Sequence, residues 1–215
     1  MAGQACACRW FPTLCETLRQ YSMMKRAFDF VAAAAGLVVA TPVILLLIIM
    51  VRRDSPGTGI FVQDRVGRRG RTFRCYKLRT MRSDAPNVPT HDAPASHITR
   101  LGAFLRRTKL DELPQLWNVL RGDMSLVGPR PCLPTQAELI AERAARGVDQ
   151  LRPGITGLAQ VSDIDMSEPV RLATKDAEYL HMQNLRLDIE IICATALPPC
   201  RVTFLRKRPP ESSVG

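Results

Sequence analysis

The chain has 215 residues and carries 30 lysines and arginines against 20 aspartates and glutamates, a formal net charge of +10. This length holds one domain, or one domain with a membrane element, and the charge calls for an anionic partner: nucleic acid, lipid headgroups or a phosphorylated substrate. The seven cysteines form no CxxC pair and have no histidine at metal-ligand spacing, which argues against a zinc site and a disulfide framework.

The first 23 residues form an N-terminal extension. They show no good signal peptide, since the first strongly basic pair, Lys25-Arg26, precedes a longer apolar run further along the chain. The extension is interpreted either as a short amphipathic or disordered arm or as the product of an upstream start codon.

A predominantly apolar segment extends from Phe30 to Val51 and is long enough to cross the ~30 Å hydrocarbon core of a bilayer. Basic pairs flank both of its ends, so the positive-inside rule places both ends in the cytoplasm. Pro42 removes a backbone donor and kinks a helix, while Thr41 can offer its hydroxyl to the freed carbonyl. These features modestly favour a helix that bends at Thr41-Pro42 and returns to the same face over an ordinary spanning helix, because prolines also occur in spanning helices.

Residues 54–107 alternate turn and strand signals and end in a helical pattern. Strands are predicted at Ile60–Gln63 and Thr72–Leu78, with a basic turn between them. The arginines of this turn are interpreted as a solvated or headgroup-facing cluster: Arg65, Arg68, Arg69 and Arg71. Residues 83–97 are rich in Pro, Ser, Asp and Ala and should form a surface loop. The apolar spacing from Ile98 to Arg107 then predicts a helix.

The stretch 105–131 concentrates acids, arginines and prolines, a composition that suits a site for phosphorylated ligands. Asp111 is predicted as the N-cap of a helix, with Glu112 and Pro114 in its first turn. On this local interpretation the two acids only cap the helix and complement its dipole. Arg130 lies between two prolines that restrict the backbone and so pre-organise its guanidinium for a bidentate grip on phosphate.

Several motifs occur in a fixed order along the chain. They read YKLRTM at 76–81, DELPQL at 111–116, NVL at 118–120, GDMSLVGPRP at 122–131 and RPGITGLAQV at 152–161. Together they resemble the catalytic core of the bacterial monotopic polyprenyl-phosphate phosphoglycosyl transferases, the initiating sugar transferases of glycan assembly. The resemblance extends over residues 24–197. Thr41, Leu78 and Leu158 depart from the more usual Ser, Phe and Trp of the family.

The resemblance implies transfer of a sugar-1-phosphate from a UDP-sugar to undecaprenyl phosphate, with release of UMP. Asp111 would be the nucleophile that forms a covalent phospho-sugar intermediate, and Glu112 would coordinate Mg²⁺, orient groups or handle a proton. Asp111 and Glu112 are the predicted metal ligands, because Mg²⁺ commonly binds one or two carboxylates together with substrate phosphates. The predicted substrate-binding residues are Lys77, Arg79, Arg106, Arg130 and Asp176. An N-acetylated hexosamine is the favoured sugar, and residues 162–169 are expected to help select it.

The implied fold is a membrane-associated α/β protein, mostly helical, with a re-entrant membrane helix hairpin and a small catalytic domain that carries amphipathic interfacial helices. Its expected segments are the extension (1–23), the membrane helix (24–53), the catalytic domain (54–200) and a basic or disordered tail (201–215). Amphipathic helices are predicted at Gln136–Ala145 and over residues 184–197. The protein would lie in the bacterial inner membrane with the catalytic domain facing the cytoplasm and in contact with anionic lipids. The oligomeric state is open, and a homodimer is one candidate.

Two other functions compete with this hypothesis. A non-catalytic basic membrane adaptor would use the arginines to hold anionic lipid and the acids only as helix caps, and it predicts that Asp111→Asn leaves function intact. Binding of nucleic acid is disfavoured, because the chain lacks an aromatic platform or a recognised reading motif. The sequence also contains no Rossmann-type glycine fingerprint, internal repeat or zinc pattern.

Overall fold

A computed structural model describes residues 12–82 and 97–207 of the chain. The predictions made for residues 1–11, 83–96 and 208–215 lie outside the described residues.

The described part of the chain is mostly helical, with two small sheets. Its helices are α1 (Pro12–Asp54), α2 (Arg100–Thr108), α3 (Gln115–Arg121), α4 (Ala137–Ala145), α5 (Leu158–Val161), α6 (Pro169–Met182), α7 (Leu185–Ala196) and α8 (Pro198–Lys207). Its strands are β1 (Ile60–Val66), β2 (Thr72–Leu78), β3 (Ser125–Val127) and β4 (Gly154–Thr156). Short 3-10 turns lie at Arg68–Gly70, Leu110–Glu112 and Val148–Gln150. The predicted mixture of many helices and little sheet is confirmed.

Helix α1 is continuous and contains the whole predicted membrane segment. Its 20–54 portion is long and apolar enough to cross a membrane, with a mean hydropathy of 2.8 in its most apolar window. The hydroxyl of Thr41 donates to the carbonyl of Leu37 at 2.7 Å. The carbonyl that Pro42 leaves without its helical partner belongs to Val38, so Thr41 does not replace the missing bond as predicted. The return of α1 to the same membrane face stays a prediction.

One stripe of α1 is buried against the rest of the protein along most of the apolar segment. Residues three, four or seven positions apart form it: Asp29, Ala33, Ala40, Ile44, Leu47 and Val51. Large apolar side chains remain exposed elsewhere on the helix: Phe30, Val31, Val38, Val39, Leu45, Leu46 and Ile49. Residues on both sides of Pro42 therefore pack against the same domain, and the uncovered faces offer an apolar surface compatible with lipid.

The buried stripe of α1 forms part of the core of the domain that follows it. Its C-terminal half packs with Leu78 of β2 and Leu105 of α2. Further towards the N-terminus, Ala33 packs with Val119 of α3 and with Met124. The apolar segment of α1 and the domain that follows it thus share two clusters of apolar contacts.

A buried carboxylate joins α1 to the second sheet. Asp29 is almost fully buried and accepts hydrogen bonds from Ser125 Oγ at 2.7 Å and from the backbone N–H of Leu126 at 3.1 Å. Both donors lie on β3, so this contact fixes the position of the strand that leads to Arg130.

A second buried carboxylate joins α1 to α7. Asp188 is fully buried and accepts hydrogen bonds from Lys25 at 2.7 Å, Tyr179 at 2.6 Å and Tyr21 at 3.1 Å. Burial and the negative charge of Asp188 raise the pKa of both tyrosines, which keeps them protonated as donors. Because Lys25 supplies the compensating charge, Asp188 anchors the start of α1 to the C-terminal helices.

The two sheets are small but position the site. β1 and β2 pair as an antiparallel hairpin, and β3 and β4 as a short parallel pair. Where β4 begins, the backbone of Gly154 approaches Gly128 so closely that an added Cβ would lie 2.1 Å from the Gly128 nitrogen. The N–H of Gly154 also donates to the carbonyl of Pro129 at 2.9 Å. The segment that carries Arg130 is therefore held directly against β4.

The hairpin differs from the sequence prediction at its turn. β1 extends to Val66, beyond the predicted end at Gln63, so Arg65 lies in the strand. Its side chain is buried and donates to the carbonyl of Pro131 at 3.2 Å. The prediction that Arg65 is solvated or faces headgroups is therefore wrong, because it stabilises the loop beside the site.

The helical predictions in the C-terminal half are confirmed as α4 and α7, and their contact with a membrane interface stays a prediction. Residues 12–23 of the extension form the first turns of α1, and residues 201–207 of the expected tail belong to α8. The boundaries proposed for the four segments remain predictions.

Asp188→Asn should lower the free energy of unfolding by about 3 kcal/mol, because it leaves the largely buried Lys25 ammonium without a charge partner. Denaturant unfolding of the detergent-solubilised protein measures this loss. Glu190→Gln on the same helix is the matched control, since it removes a largely exposed ion pair with Arg186 and should cost less than about 0.5 kcal/mol. Equal losses in the two variants would contradict the anchoring role of Asp188.

Candidate active site

The Asp111-Glu112 pair lies on the 3-10 turn between α2 and α3. Helix α2 ends at Thr108, and the left-handed conformation of its C-cap Lys109 (φ 60°, ψ 12°) reverses the chain just before the pair. Helix α3 begins only at Gln115, and Pro114 occupies its N-cap position. The prediction that Asp111 caps this helix is therefore wrong. Both acids are nonetheless more than nine-tenths buried, which a cap at the protein surface would not require.

Glu112 is the centre of a buried ion cluster. Its Oε1 accepts a hydrogen bond from Arg130 Nη2 at 2.8 Å and another from Lys77 Nζ at 3.3 Å. Burial by itself would raise the pKa of Glu112, but the charges of Arg130, Lys77 and Lys109 hold this pKa down at about 2. Glu112 is therefore ionised at neutral pH and permanently paired with two cations.

The pKa of Asp111 is shifted in the opposite direction to that of Glu112. Burial and the adjacent charge of Glu112 raise its pKa, and the charges of Lys77, Arg130 and Arg106 partly offset this rise. Among the described residues, no side chain or backbone group forms a hydrogen bond or ion pair with its carboxyl group. The pair thus consists of one engaged carboxylate and one free carboxyl group that lies in the same positive field.

Arg106 extends this positive field from α2. Its Nε donates to Thr80 Oγ1 at 2.9 Å, and its charge acts on Asp111. The structure therefore brings Arg106, Lys77 and Arg130 together around the two acids, although these three residues come from α2, β2 and the segment after β3. Their contact with substrate stays a prediction.

Arg79 is directed away from this cluster. Its guanidinium is buried and donates to the carbonyls of Ser55 at 2.6 Å, Pro56 at 2.9 Å and Val51 at 3.5 Å. These carbonyls belong to the end of α1 and to the turn that follows it. Arg79 therefore ties α1 to the strand that carries Lys77, and its predicted contact with substrate is not among the interactions that the structure shows.

Asp176 reaches the cluster through a residue that the sequence analysis missed. Both Nε and Nη2 of Arg143 donate to Asp176 Oδ2, at 2.9 and 2.7 Å, and Nη1 of Arg143 donates to the backbone carbonyl of Arg130 at 2.9 Å. Asp176 is buried, and its predicted contact with substrate stays untested. One signal could have identified Arg143: it follows Leu139 by four positions and so falls on the apolar face of α4.

A cavity of about 310 Å³ opens beside Glu112. The residues around it include Lys109, Thr156, Gln160, Thr195 and Arg201. Gln160 Oε1 is buried and has no hydrogen-bond partner among the described residues. Gln160 thus brings an unused hydrogen-bond acceptor to the wall of the cavity that Glu112 also lines, where it suits an N–H or O–H group of a ligand.

The metal prediction depends on the same two acids. Among the described residues, no group of three or more His, Cys, Asp and Glu side chains could hold a metal ion. Asp111 and Glu112 offer only carboxylate oxygens, which is the chemistry Mg²⁺ prefers, and Mg²⁺ usually completes its shell with water and substrate phosphates. One oxygen of Glu112 already accepts from two cations. The donor set therefore fits Mg²⁺ bound together with substrate rather than a resident structural ion.

Comparison with known proteins gives a consistent result. The chain matches the family model described as bacterial sugar transferase over residues 20–200. It is 42% identical over 184 residues to the UDP-glucose:undecaprenyl-phosphate glucose-1-phosphate transferase of Caulobacter vibrioides, a match that covers 80% of this chain and 68% of that protein. It is 40% identical over 158 residues to a Bacillus subtilis protein named for undecaprenyl-phosphate N-acetylgalactosaminyl 1-phosphate transfer, covering 69% of this chain and 88% of the relative.

Some relatives are considerably longer. The undecaprenyl-phosphate galactose phosphotransferase of Salmonella typhimurium is 39% identical over 201 residues, which span 83% of this chain and 40% of that protein. The family match includes most of α1 and the whole ion cluster around Asp111 and Glu112. The chain therefore belongs to the bacterial sugar transferases, the family of initiating transferases that its motifs resemble.

Proposed function

We propose that this enzyme transfers a sugar-1-phosphate from a UDP-sugar to undecaprenyl phosphate and releases UMP. The asymmetry of the acidic pair is the observation that supports this most directly: Glu112 is neutralised by Lys77 and Arg130, whereas Asp111 carries a buried carboxyl group without a partner among the described residues. A free carboxylate beside fixed positive charge suits attack on phosphorus. The relatives are named for reactions of this type.

In the first step, a carboxylate oxygen of Asp111 attacks the sugar-bearing phosphorus in line with the oxygen that bridges the two phosphates. The bond from Asp111 to phosphorus forms while the bond from phosphorus to the bridging oxygen breaks, and UMP departs with that oxygen. Lys77, Arg106 and Arg130 hold positive charge next to the reacting group and offset its negative charge.

In the second step, a phosphate oxygen of undecaprenyl phosphate attacks the same phosphorus. The bond to Asp111 breaks, which regenerates the carboxylate and leaves the sugar on a lipid diphosphate. Both attacking groups and both leaving groups are carboxylate or phosphate oxygens, which are stable as anions at neutral pH. Neither step therefore needs a proton transfer. Glu112 is therefore assigned an electrostatic and metal-binding role rather than that of a general base, and the kinetics should be ping-pong.

Mg²⁺ is the proposed cofactor, with Asp111 and Glu112 as its protein ligands and substrate phosphates as the remaining ones. When bound, it would neutralise charge on the diphosphate as the bond to the leaving group breaks. The chain contributes two carboxylates to this site and keeps one of them, Glu112, ionised and oriented through Arg130.

The packing of α1 supports a membrane helix that does not span. The domain covers one stripe of α1 from Asp29 to Val51, which is about 33 Å of helix and as long as the ~30 Å hydrocarbon core. A spanning α1 would carry the polar groups of this domain to hydrocarbon depth, where unsatisfied backbone groups are strongly disfavoured. We therefore propose a re-entrant helix that bends at Thr41-Pro42 in the inner membrane, with the catalytic domain on the cytoplasmic side.

The donor is proposed to be an N-acetylated hexosamine linked to UDP. The relatives are named for glucose, galactose and N-acetylgalactosamine, and the relative named for N-acetylgalactosamine transfer is matched over 88% of its length. The unused acceptor of Gln160 in the cavity near Glu112 provides a partner for an amide N–H or a hydroxyl of such a donor.

The direct test measures UMP release by the detergent-purified protein with Mg²⁺, undecaprenyl phosphate and a panel of UDP-sugars. We expect turnover with one N-acetylated sugar, a single-turnover burst without lipid, and loss of turnover after Mg²⁺ is chelated.

Asp111→Asn should reduce turnover by about 10³-fold or more, because it removes the nucleophile. Asp149→Asn, an acid away from the pair, should have little effect. Retained turnover in Asp111→Asn would overturn the mechanism, and membrane binding without UMP release from any sugar would favour the adaptor.

The two acids should affect stability in opposite directions. Asp111→Asn should leave the free energy of unfolding unchanged or raise it by up to about 1 kcal/mol, since the buried Asp111 carboxylate repels Glu112. Glu112→Gln should lower it by about 3 kcal/mol, since Lys77 and Arg130 lose their shared anion. Unfolding at pH 7 compares both variants with wild type.

The pH dependence of this contrast follows from the two pKa shifts. The advantage of Asp111→Asn should shrink as pH falls below the raised pKa of Asp111 and be gone below the ordinary aspartate pKa of about 3.8, where the wild-type carboxyl group is neutral in both the folded and the unfolded state. The stability supplied by Glu112 is fully present above its ordinary pKa of about 4.5 and is lost as pH falls towards about 2. Destabilisation of similar size in both variants at pH 7 would contradict the assignment of one free and one paired acid.

Asp176→Asn should lower kcat about tenfold with a smaller change in KM, because Asp176 orients Arg143 and, through it, the backbone of Arg130. Steady-state UMP release, measured below the unfolding temperature of the variant, gives the separate changes in kcat and KM. Glu178→Gln, which removes the partly exposed ion pair with Lys175 on the same helix, is the control and should leave both constants unchanged. A change in stability alone, with wild-type kcat, would show that the Asp176–Arg143 pair does not position Arg130.

A further inference from the structure

A second basic site lies at the turn of the β1–β2 hairpin. A cleft of about 350 Å³ separates this turn from the end of α3, and four arginines line it: Arg68, Arg69, Arg71 and Arg152. Asp123 is the one acid among its lining residues, and it is already paired with Arg121 at 3.4 Å. The cleft is therefore strongly positive and contains no free acid of its own.

The cleft is separate from the catalytic pair. Thr72 borders it at the start of β2, whereas Lys77 binds Glu112 near the other end of the strand. These two positions are five steps apart along an extended strand, a distance of about 17 Å. The cleft is thus too far from Asp111 to hold the phosphate that Asp111 attacks.

The arginines of the cleft keep their charge uncompensated. Arg68 donates to the carbonyl of Gln150 at 2.7 Å and Arg152 to that of Gly122 at 3.0 Å. These bonds orient the guanidinium groups but supply no negative charge, and none of the four arginines forms an ion pair with a described residue. Burial and the charges of Arg68 and Arg26 lower the pKa of Arg152, which indicates repulsion that a bound anion would relieve.

The backbone at the turn is strained at an arginine. Arg69 adopts the left-handed conformation, with φ 57° and ψ 36°, which costs a residue with a Cβ about 1–2 kcal/mol. The side chain of Arg69 is exposed and lines the cleft. Glycine or asparagine would relieve the strain, so the arginine has no local structural advantage here.

The cleft also lies near the basic end of the apolar segment. Gly122, which lines the cleft, is so close to Arg26 that an added Cβ would lie 3.3 Å from Arg26 Nη2. Arg26 precedes Phe30, the first residue of the apolar segment, by about one helical turn. A phosphate in the cleft would therefore lie close to the headgroup level of a membrane that holds this segment.

We propose that the cleft formed by Arg68, Arg69, Arg71 and Arg152 is a binding site for a phosphate-bearing anion, supplied by the headgroup of an acidic phospholipid. The site is distinct from the acidic pair and would fix the rotation of the domain about α1 at the membrane surface. A soluble diphosphate offers the same chemistry, so the experiment has to separate the two sources.

The test uses the full chain in nanodiscs of phosphatidylcholine with or without phosphatidylglycerol, and Tm is measured in each. Wild type should gain about 3 °C from the acidic lipid. The double variant Arg69→Gln/Arg71→Gln should lose most of this gain. Arg171→Gln/Arg186→Gln, which removes the same charge from exposed surface pairs, should keep it. Equal gains in all three proteins would overturn the proposal.

Two further measurements distinguish a soluble anion from a lipid headgroup and separate binding from folding. Pyrophosphate added to neutral nanodiscs tests the soluble source. If pyrophosphate raises the Tm of wild type but not of Arg69→Gln/Arg71→Gln, and acidic lipid raises neither, the cleft binds an anion but the proposal of a lipid headgroup is overturned. Arg69→Gly separates binding from folding, since it should raise Tm in neutral discs by relieving strain and still weaken the lipid response. UMP release in detergent should be unaffected in these variants, so this proposal and the catalytic one fail independently.

Discussion

The ion cluster of Glu112 with Lys77 and Arg130 is the interaction on which the site depends. It joins β2, the turn before α3 and the segment after β3, which lie far apart along the chain. A buried carboxylate is costly unless it is paired, and here two cations share one carboxylate. The cluster therefore keeps a net positive charge, which acts on Asp111 and is available to the phosphates of a substrate.

The strand β2 links this cluster to the membrane segment. Neighbouring residues of a strand point to opposite faces, and here Leu78 packs on α1 while Lys77 binds Glu112. Arg79, the next residue, donates to carbonyls at the end of α1. Three consecutive residues thus connect the acidic pair to the helix, so α1 helps to hold the pair in position.

The sequence predicted those features that local patterns carry. Apolar spacing located α4 and α7, and the motifs grouped Asp111, Glu112, Lys77 and Arg130, which the structure brings into one cluster. The N-cap assignment failed, because the charge of Lys77 and Arg130 holds Glu112 in a buried 3-10 turn and overrides the usual capping geometry.

Other features depend on contacts between distant residues and carry no local signal. Arg79 shares a motif with Lys77, but β2 ends at Leu78, so the alternation that would place both side chains on one face no longer applies. Arg143 and Asp176 lie 33 positions apart, and only the packing of α4 on α6 brings them together. The net charge of +10 likewise does not show that the basic residues have different structural roles. Arg79 holds backbone carbonyls, and Arg143 pairs with a buried acid and orients the segment that carries Arg130. The charge around Asp111 and in the hairpin cleft is left uncompensated and so can attract a ligand.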